Sequence, residues 1–193
     1  MHRTTRVAAP ALLGFALLAV AAVTPAQATE LAAKSWEVGG DLVSTTYDND
    51  SGFADTFSFA VRGAYVLQPK HEFEFHVNIQ SADAEDKDSD VTYDIQRISL
   101  NYIGNFKVKK PDSKFAPYAL FGIGIMNYDN GDDSAGSTLF RGGGGVRYFF
   151  TKSLALRIEG TLAHFHGDEE VIPRRGYFDF DFAVGVSWVF GGA

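Results

Sequence analysis

Cysteine is absent from this chain. For a protein that opens like an exported one, that excludes a disulfide scaffold, so stability has to come from size, from closure of a sheet, or from a membrane. After the first thirty residues no apolar run approaches the roughly 20 residues that a transmembrane helix needs. Basic residues are scarce: 17 Lys and Arg stand against 24 Asp and Glu, a formal net charge of −7. No basic stripe exists to meet phosphates, which argues against a nucleic-acid partner. A membrane protein of this composition has one architecture open to it, the closed β-barrel, because only there is every backbone polar group paired without a helix.

The N-terminus carries the marks of a secretory signal: Arg3 and Arg6, an apolar stretch from Val7 to Val23, and Ala26-Gln27-Ala28 as a small-residue cleavage site. Residues 1–28 are read as that signal, and 29–193 as a single domain. Its removal takes two positive charges from an already acidic chain.

What the chain does have is alternation. The segment Tyr177–Phe190, YFDFDFAVGVSWVF, places Phe178, Phe180, Phe182, Val184, Val186, Trp188 and Phe190 on one face and Asp179, Asp181, Ala183, Gly185, Ser187 and Val189 on the other. Side chains of a strand alternate between faces, so one face is aromatic and uncharged over its whole length. Lipid suits such a face. The same pattern predicts seven earlier strands: 35–46, 56–67, 72–80, 92–103, 115–128, 138–150 and 154–163. The fifth is apolar on both faces, and Phe121, Ile123 and Ile125 are taken as its outward set. Connections after the odd-numbered strands are expected to be long and acidic, and those after the even-numbered ones shorter and lysine-bearing, as in outer-membrane barrels.

A soluble eight-stranded barrel of the lipocalin kind would turn the same alternation inside out. Its interior would then have to hold about twenty large rings and aliphatics, too many for so few strands. The charged face also carries Arg62, Arg97, Arg141, Arg147 and Arg157 but no lysine. A planar guanidinium suits enclosed pairing with carboxylates, whereas lysine suits open water. The expected fold is an all-β, eight-stranded, antiparallel up-and-down transmembrane β-barrel. Its lipid-facing residues would include Phe59, Phe75, Leu100, Phe121, Tyr148, Ile158, Phe182 and Trp188.

At this point the chain resembles the small eight-stranded outer-membrane barrels of Gram-negative bacteria, the OmpA/OmpX-like barrel domain. The resemblance runs from about Ser35 to Phe190. It is most specific at Phe140-Arg141-Gly142-Gly143-Gly144-Gly145-Val146-Arg147-Tyr148, at Leu154-Ala155-Leu156-Arg157, and at the aromatic-ended last strand. It implies residence in the outer membrane among lipid and lipopolysaccharide, and recognition of the last strand by the assembly machinery through a terminal Phe. Here Gly191-Gly192-Ala193 follow Phe190, and no peptidoglycan-binding domain is expected beyond the barrel.

Three sets of residues bear on chemistry. The inward face would gather Glu37, Asp41, Glu72, Glu74, Glu159, Asp179 and Asp181 with the five arginines and His76. Buried charges have to pair or cost several kcal/mol each, so a solid network of ion pairs is expected, with a narrow gated pore as the rival. The second set is His164-Phe165-His166 with Asp168, expected in a loop. The resemblance implies a comparison here, because some related barrels deacylate lipid A with a His-x-Ser pair near the end of the penultimate strand. In this chain His166 stands where that serine would be, which leaves no hydroxyl to acylate. The two histidines share a face and would also suit Zn²⁺ together with Asp168.

The third set consists of motifs that fail. Gly142–Gly145 lacks the Lys-Ser/Thr of a phosphate loop and lies within a strand, where glycines bend the wall or make room for neighbouring rings. Asp86-Lys87-Asp88-Ser89-Asp90 begins like an EF-hand, but Val91 and Arg97 stand where Gly and Glu are required. Loose binding of divalent cations by the acidic loops stays open. The reading that results is a structural or surface-interaction barrel with no enzyme activity, no cofactor and no dedicated metal. A lipid-A hydrolase and a gated pore are the alternatives.

Overall fold

The computed structural model describes residues 31–84, 91–106, 113–131, 133–168 and 174–192. The expected signal segment and the acids at 85, 86, 88, 90, 132, 169 and 170 lie outside the described residues. Eight strands follow one another in chain order: β1 Ser35–Thr46, β2 Thr56–Gln68, β3 His71–Asp83, β4 Thr92–Asn105, β5 Phe115–Asp129, β6 Ser134–Phe149, β7 Leu154–His166 and β8 Gly176–Gly191. Each pairs antiparallel with the next. β1 then pairs with β8, from Ser35↔Gly191 to Thr46↔Phe180, and this closes the barrel. Closure removes the two unpaired strand edges that an open sheet would leave in lipid.

The alternation has the sense expected for a membrane. Phe59, Phe75, Leu100, Phe121, Ile158, Phe182 and Trp188 are all exposed on the outer wall, and Tyr148 is half-buried there. The arginines and carboxylates of the opposite face are buried inside. The phase of β5 is settled: Phe121, Ile123 and Ile125 point out, while Tyr118, Leu120, Met126 and Tyr128 point in. Near the chain termini the apolar band ends in paired rings, Trp36 with Tyr65 at 4.9 Å, Phe115 with Tyr148 at 5.0 Å and Phe73 with Tyr102 at 5.8 Å. Such girdles mark the membrane–water interface.

At the opposite end the strands run on past the apolar band. Above Ile79, Ile98 and Ile125 the outer face becomes Ser81, Asp83, Asp94, Gln96, Asn127 and Asp129, all exposed. Ser81 Oγ donates to Asp94 at 2.7 Å, and Thr92 Oγ1 donates to Asp83 at 3.0 Å. Lipid cannot solvate this belt, so it lies outside the hydrocarbon.

Several expected boundaries move as a result. β6 begins at Ser134 rather than at 138, which shortens the β5–β6 connection to the tight turn 130–133. Asp83 and Asp129 are strand residues on the outer wall rather than loop acids. β7 extends to His166, so His164 and His166 lie in a strand and not in a loop. The contrast between long loops and short turns holds for 47–55, 84–91 and 167–175 against 69–70 and 150–153. It fails at 130–133 and at 106–114.

The glycines of β6 and β8 make room inside. A β-carbon on Gly145 would collide with the hydroxyl of Tyr118, and one on Gly185 with the carboxylate of Asp41. They give up side-chain volume so that larger polar groups can fill the lumen.

Arg in place of Phe182, close to the middle of the apolar band of β8, is expected to cost about 2–4 kcal/mol of stability. Arg in place of Gln96 in the outer belt should cost only about 0–1 kcal/mol. Denaturant unfolding in lipid vesicles measures both, and equal costs would overturn this placement of the membrane boundary.

Candidate functional site

The lumen is built in layers. At its centre all seven predicted carboxylates and all five predicted arginines are buried, joined by His76. Nearest the termini, Arg147 meets Glu72 and Glu37, each at 2.9 Å, and donates to Asn105 at 2.8 Å. Above it Arg157 holds Glu74 at 2.6 Å and Glu159 at 2.5 Å, with Glu37 at 3.6 Å. Arg62 pairs with Asp41 and lies 4.0 Å from Glu37. Glu37 is thus shared by three guanidiniums.

Toward the loop end, Arg141 lies 3.8 Å from Glu159 and 3.9 Å from Asp181, and donates to Ser99 and Thr161. It also sits 3.1 Å from His76 Nδ1. Arginine can only donate, so that nitrogen accepts and a ring proton belongs on Nε2. In the last polar layer Arg97 bridges Asp179 at 2.5 Å and Asp181 at 3.2 Å, and Thr45 donates to Asp181 at 2.8 Å. Every predicted lumen residue therefore belongs to one connected network.

Three features of the lumen were not anticipated. Tyr118 organises its lower half: it accepts from Arg157 Nε at 2.6 Å and donates to Glu159 at 2.7 Å. The guanidinium carbons of Arg147 and Arg157 each lie 4.6 Å from its ring centre. The sequence hides it because β5 is apolar on both faces.

The other two are apolar caps. Tyr47, Phe53, Ile95, Met126, Tyr128, Leu139, Phe165 and Tyr177 close the loop end, and Leu31, Val66, Phe149 and Val189 close the terminus end. In the loop-end cap Phe53 comes from a connection, yet only 3% of it is exposed. It packs edge-on to Tyr47, Tyr93 and Tyr128, and bridges to Ala84. Asp48 holds that connection down by accepting from the backbone N–H of Phe178 at 3.2 Å, and Arg175 pairs with Asp50 at 3.1 Å. These acids are tied to β8 and its flanking loop rather than simply solvated.

The histidine pair lies on the outer wall. His164 is half-buried against Phe178 and His166 is exposed, their ring centres 5.1 Å apart. Tyr177 supplies a backbone carbonyl 2.9 Å from His164 Nδ1. That contact occupies the ring nitrogen a triad carboxylate would orient. Asp168 is held through its backbone N–H, which donates to the hydroxyl of Tyr128 at 2.8 Å. Among the described residues, no group of three or more His, Cys, Asp or Glu side chains converges as a metal cluster would, so the three-ligand set His164, His166 and Asp168 is not assembled.

Replacing Arg157 by Met leaves Glu74 and Glu159 buried beside one another, and is expected to cost about 3–5 kcal/mol. Changing Glu74 and Glu159 to Gln in the same chain should recover most of that loss. Urea unfolding of the refolded barrel tests both, and a triple variant no more stable than Arg157→Met would refute the pairing as the source of the cost.

Solved structures share this architecture. Neisserial surface protein A matches with a TM-score of 0.57 and 14% identity, covering 81% of this chain and 96% of its own. OprG from Pseudomonas aeruginosa gives 0.59 and 12%, covering 84% and 98%. The N-terminal barrel domain of Pseudomonas aeruginosa OprF gives 0.52 and 20%, covering 82% and 99%. At these identities the likeness establishes the fold alone. Among curated protein sequences none matches. The family described as the outer membrane protein beta-barrel domain matches over residues 13–190, nearly the whole chain, and this protein belongs to it.

Proposed function

We propose that this outer-membrane barrel is a closed wall element with a structural or surface-interaction role and no enzymatic activity. One observation carries the reading: an ionic core in which each buried charge meets a counter-charge fills the lumen between two apolar caps. Conduction through such a stack requires an apolar cap to open and a guanidinium to change partners. The surface offered outward is then the loop end, where Asp48, Asp50, Asp83, Asp94, Asp129 and Asp133 gather. Lipopolysaccharide is the natural neighbour of that surface, and divalent cations would relieve the repulsion between its acids and lipid phosphates. Phe190, outward at the end of β8, is the side chain offered to the assembly machinery.

A hydrolase centred on His164 gains no support from the geometry. His166 replaces the serine, and His164 Nδ1 faces a carbonyl instead of a carboxylate. The gated pore keeps one favourable observation. Ser58 Oγ, Asn78 Oδ1 and Gln80 Nε2 are buried in the lumen with no hydrogen-bond partner among the described residues. Buried polar groups of that kind are ordinarily met by water.

Reconstituted into planar bilayers, the wild-type barrel is expected to show no discrete conductance steps. Lipid A from cells expressing it should give the same mass spectrum as lipid A from cells with an empty vector. Steady unitary steps would replace the closed reading with the pore. Loss of an acyl chain that disappears in His164→Ala would replace it with the hydrolase.

A further inference from the structure

On the outer wall at the loop end, β7 and β8 bring His164 opposite Phe178 and His166 opposite Gly176. His164 Nδ1 lies 2.9 Å from the Tyr177 carbonyl oxygen, which can only accept. A proton of this ring therefore sits on Nδ1, which in the neutral imidazole leaves the lone pair on Nε2. Phe178 stacks on the ring, with centres 4.4 Å apart and planes 28° from parallel, and fixes its orientation. His166 stands beside it, its plane turned by 75°.

The space between the two rings depends on Gly176. A β-carbon there would fall 2.8 Å from His164 Cε1, 3.7 Å from His164 Nε2 and 3.8 Å from His166 Nε2. Both Nε2 atoms thus lie less than 4 Å from one point, which stays open because Gly176 has no side chain. A shared ion needs each nitrogen at about 2 Å, which a turn of the exposed His166 ring toward His164 supplies. Spacing alone, i and i+2 on a strand, puts two histidines on one face. The carbonyl contact, the stacked Phe178 and the gap over Gly176 add what a metal ligand needs. A ligating imidazole ordinarily gives its other N–H to a carbonyl or carboxylate, and that partner sets both tautomer and aim.

We propose that His164 and His166 form a two-imidazole site for a borderline transition-metal cation, Cu²⁺ or Zn²⁺, bound through the two Nε2 atoms above Gly176. Imidazole nitrogen suits these ions, whereas Mg²⁺ and Ca²⁺ require oxygen donors. With two protein ligands the remaining coordination positions belong to water or another exogenous donor. Binding therefore follows the general order of divalent affinities, Cu²⁺ above Zn²⁺. The site sits at the outer rim, one step beyond Leu162 on β7, where the wall leaves the lipid. It does not depend on whether the lumen conducts.

The test uses the untagged full-length barrel refolded in detergent micelles. Cu²⁺ and Zn²⁺ are titrated in competition with a chromophoric chelator, and electron paramagnetic resonance of bound Cu²⁺ counts its nitrogen donors. One equivalent with two nitrogen donors is expected. His164→Asn and His166→Asn should each weaken binding by at least about tenfold, since loss of a ligand costs no less than loss of its supporting partner. Gly176→Val should weaken binding with both histidines in place, in a protein whose unchanged gel mobility shift on heating shows a closed barrel. Because His2, His71 and His76 remain in the His164→Asn/His166→Asn double variant, affinity in that protein equal to wild type would overturn the proposal. So would a Cu²⁺ spectrum without nitrogen donors.

Discussion

Twelve charged side chains share the interior of a barrel whose eight strands leave just enough width for side chains to fill it. In so narrow a space no charge can be solvated independently. Each must meet a counter-charge held by another strand, at a depth fixed by register. Glu37 on β1 meets Arg147 on β6, Arg157 on β7 and Arg62 on β2. Asp179 and Asp181 on β8 meet Arg97 on β4. Glu37 and Arg62 sit on neighbouring strands, but the other pairs span the lumen and tie together strands that share no backbone ladder. A one-residue slip of any strand would turn its charges toward lipid and its aromatics inward. The network contributes less to net stability than to uniqueness: charges in low dielectric are costly to assemble, and far more costly to leave unmatched.

The choice of arginine follows from the same constraint. Arg157 touches Glu74, Glu159, Glu37 and the hydroxyl of Tyr118 from a single planar group. An ammonium offers three donors around one point, and could not address partners on β1, β3, β5 and β7 at once. The rings of the caps then protect what the arginines join. Tyr47 illustrates the link, lying with its ring 5.3 Å from the guanidinium of Arg97 while it packs against Phe53. A cap of this kind keeps bulk water from competing for the last ion pair beneath it.

Much of this arrangement is legible in the sequence because two opposed surfaces are written on alternate residues. Phe178, Phe180 and Phe182 against Tyr177, Asp179 and Asp181 leave one sensible orientation once arginine, and not lysine, occupies the charged face. What stayed hidden has physical causes. Tyr118 lies on a strand apolar on both sides, so its phase cannot be read without β4 and β6 beside it. Phe149, Phe165 and Tyr177 fall on the inward face yet carry no charge. Alternation predicts where they point, but the rule that the inner face is polar fails at the lumen's ends, where no ion needs a partner. β6 starts early because Ser134–Gly136 pair with β5 outside the lipid, where the outer face has no reason to be apolar. There the hydrophobic signal that delimits a strand disappears while its hydrogen bonds continue.

The same boundary explains the histidines. Through Leu162 the outer face of β7 is selected by lipid, which rejects polar side chains. Two positions later that selection ends while the ladder to β8 still holds side chains in register. His164 and His166 fall in this short interval, rigid because they are on a strand and polar because they are out of the hydrocarbon. Above them the chain turns into the acidic connection that leads to Arg174 and Arg175. Below them Phe180 and Leu162 return to lipid. A strand that outruns its membrane gives an outer-membrane barrel a few positions where side chains combine the fixed geometry of a sheet with access to water. Chemistry of recognition is more readily built at such positions than in a lumen where every charged side chain is committed to a counter-charge.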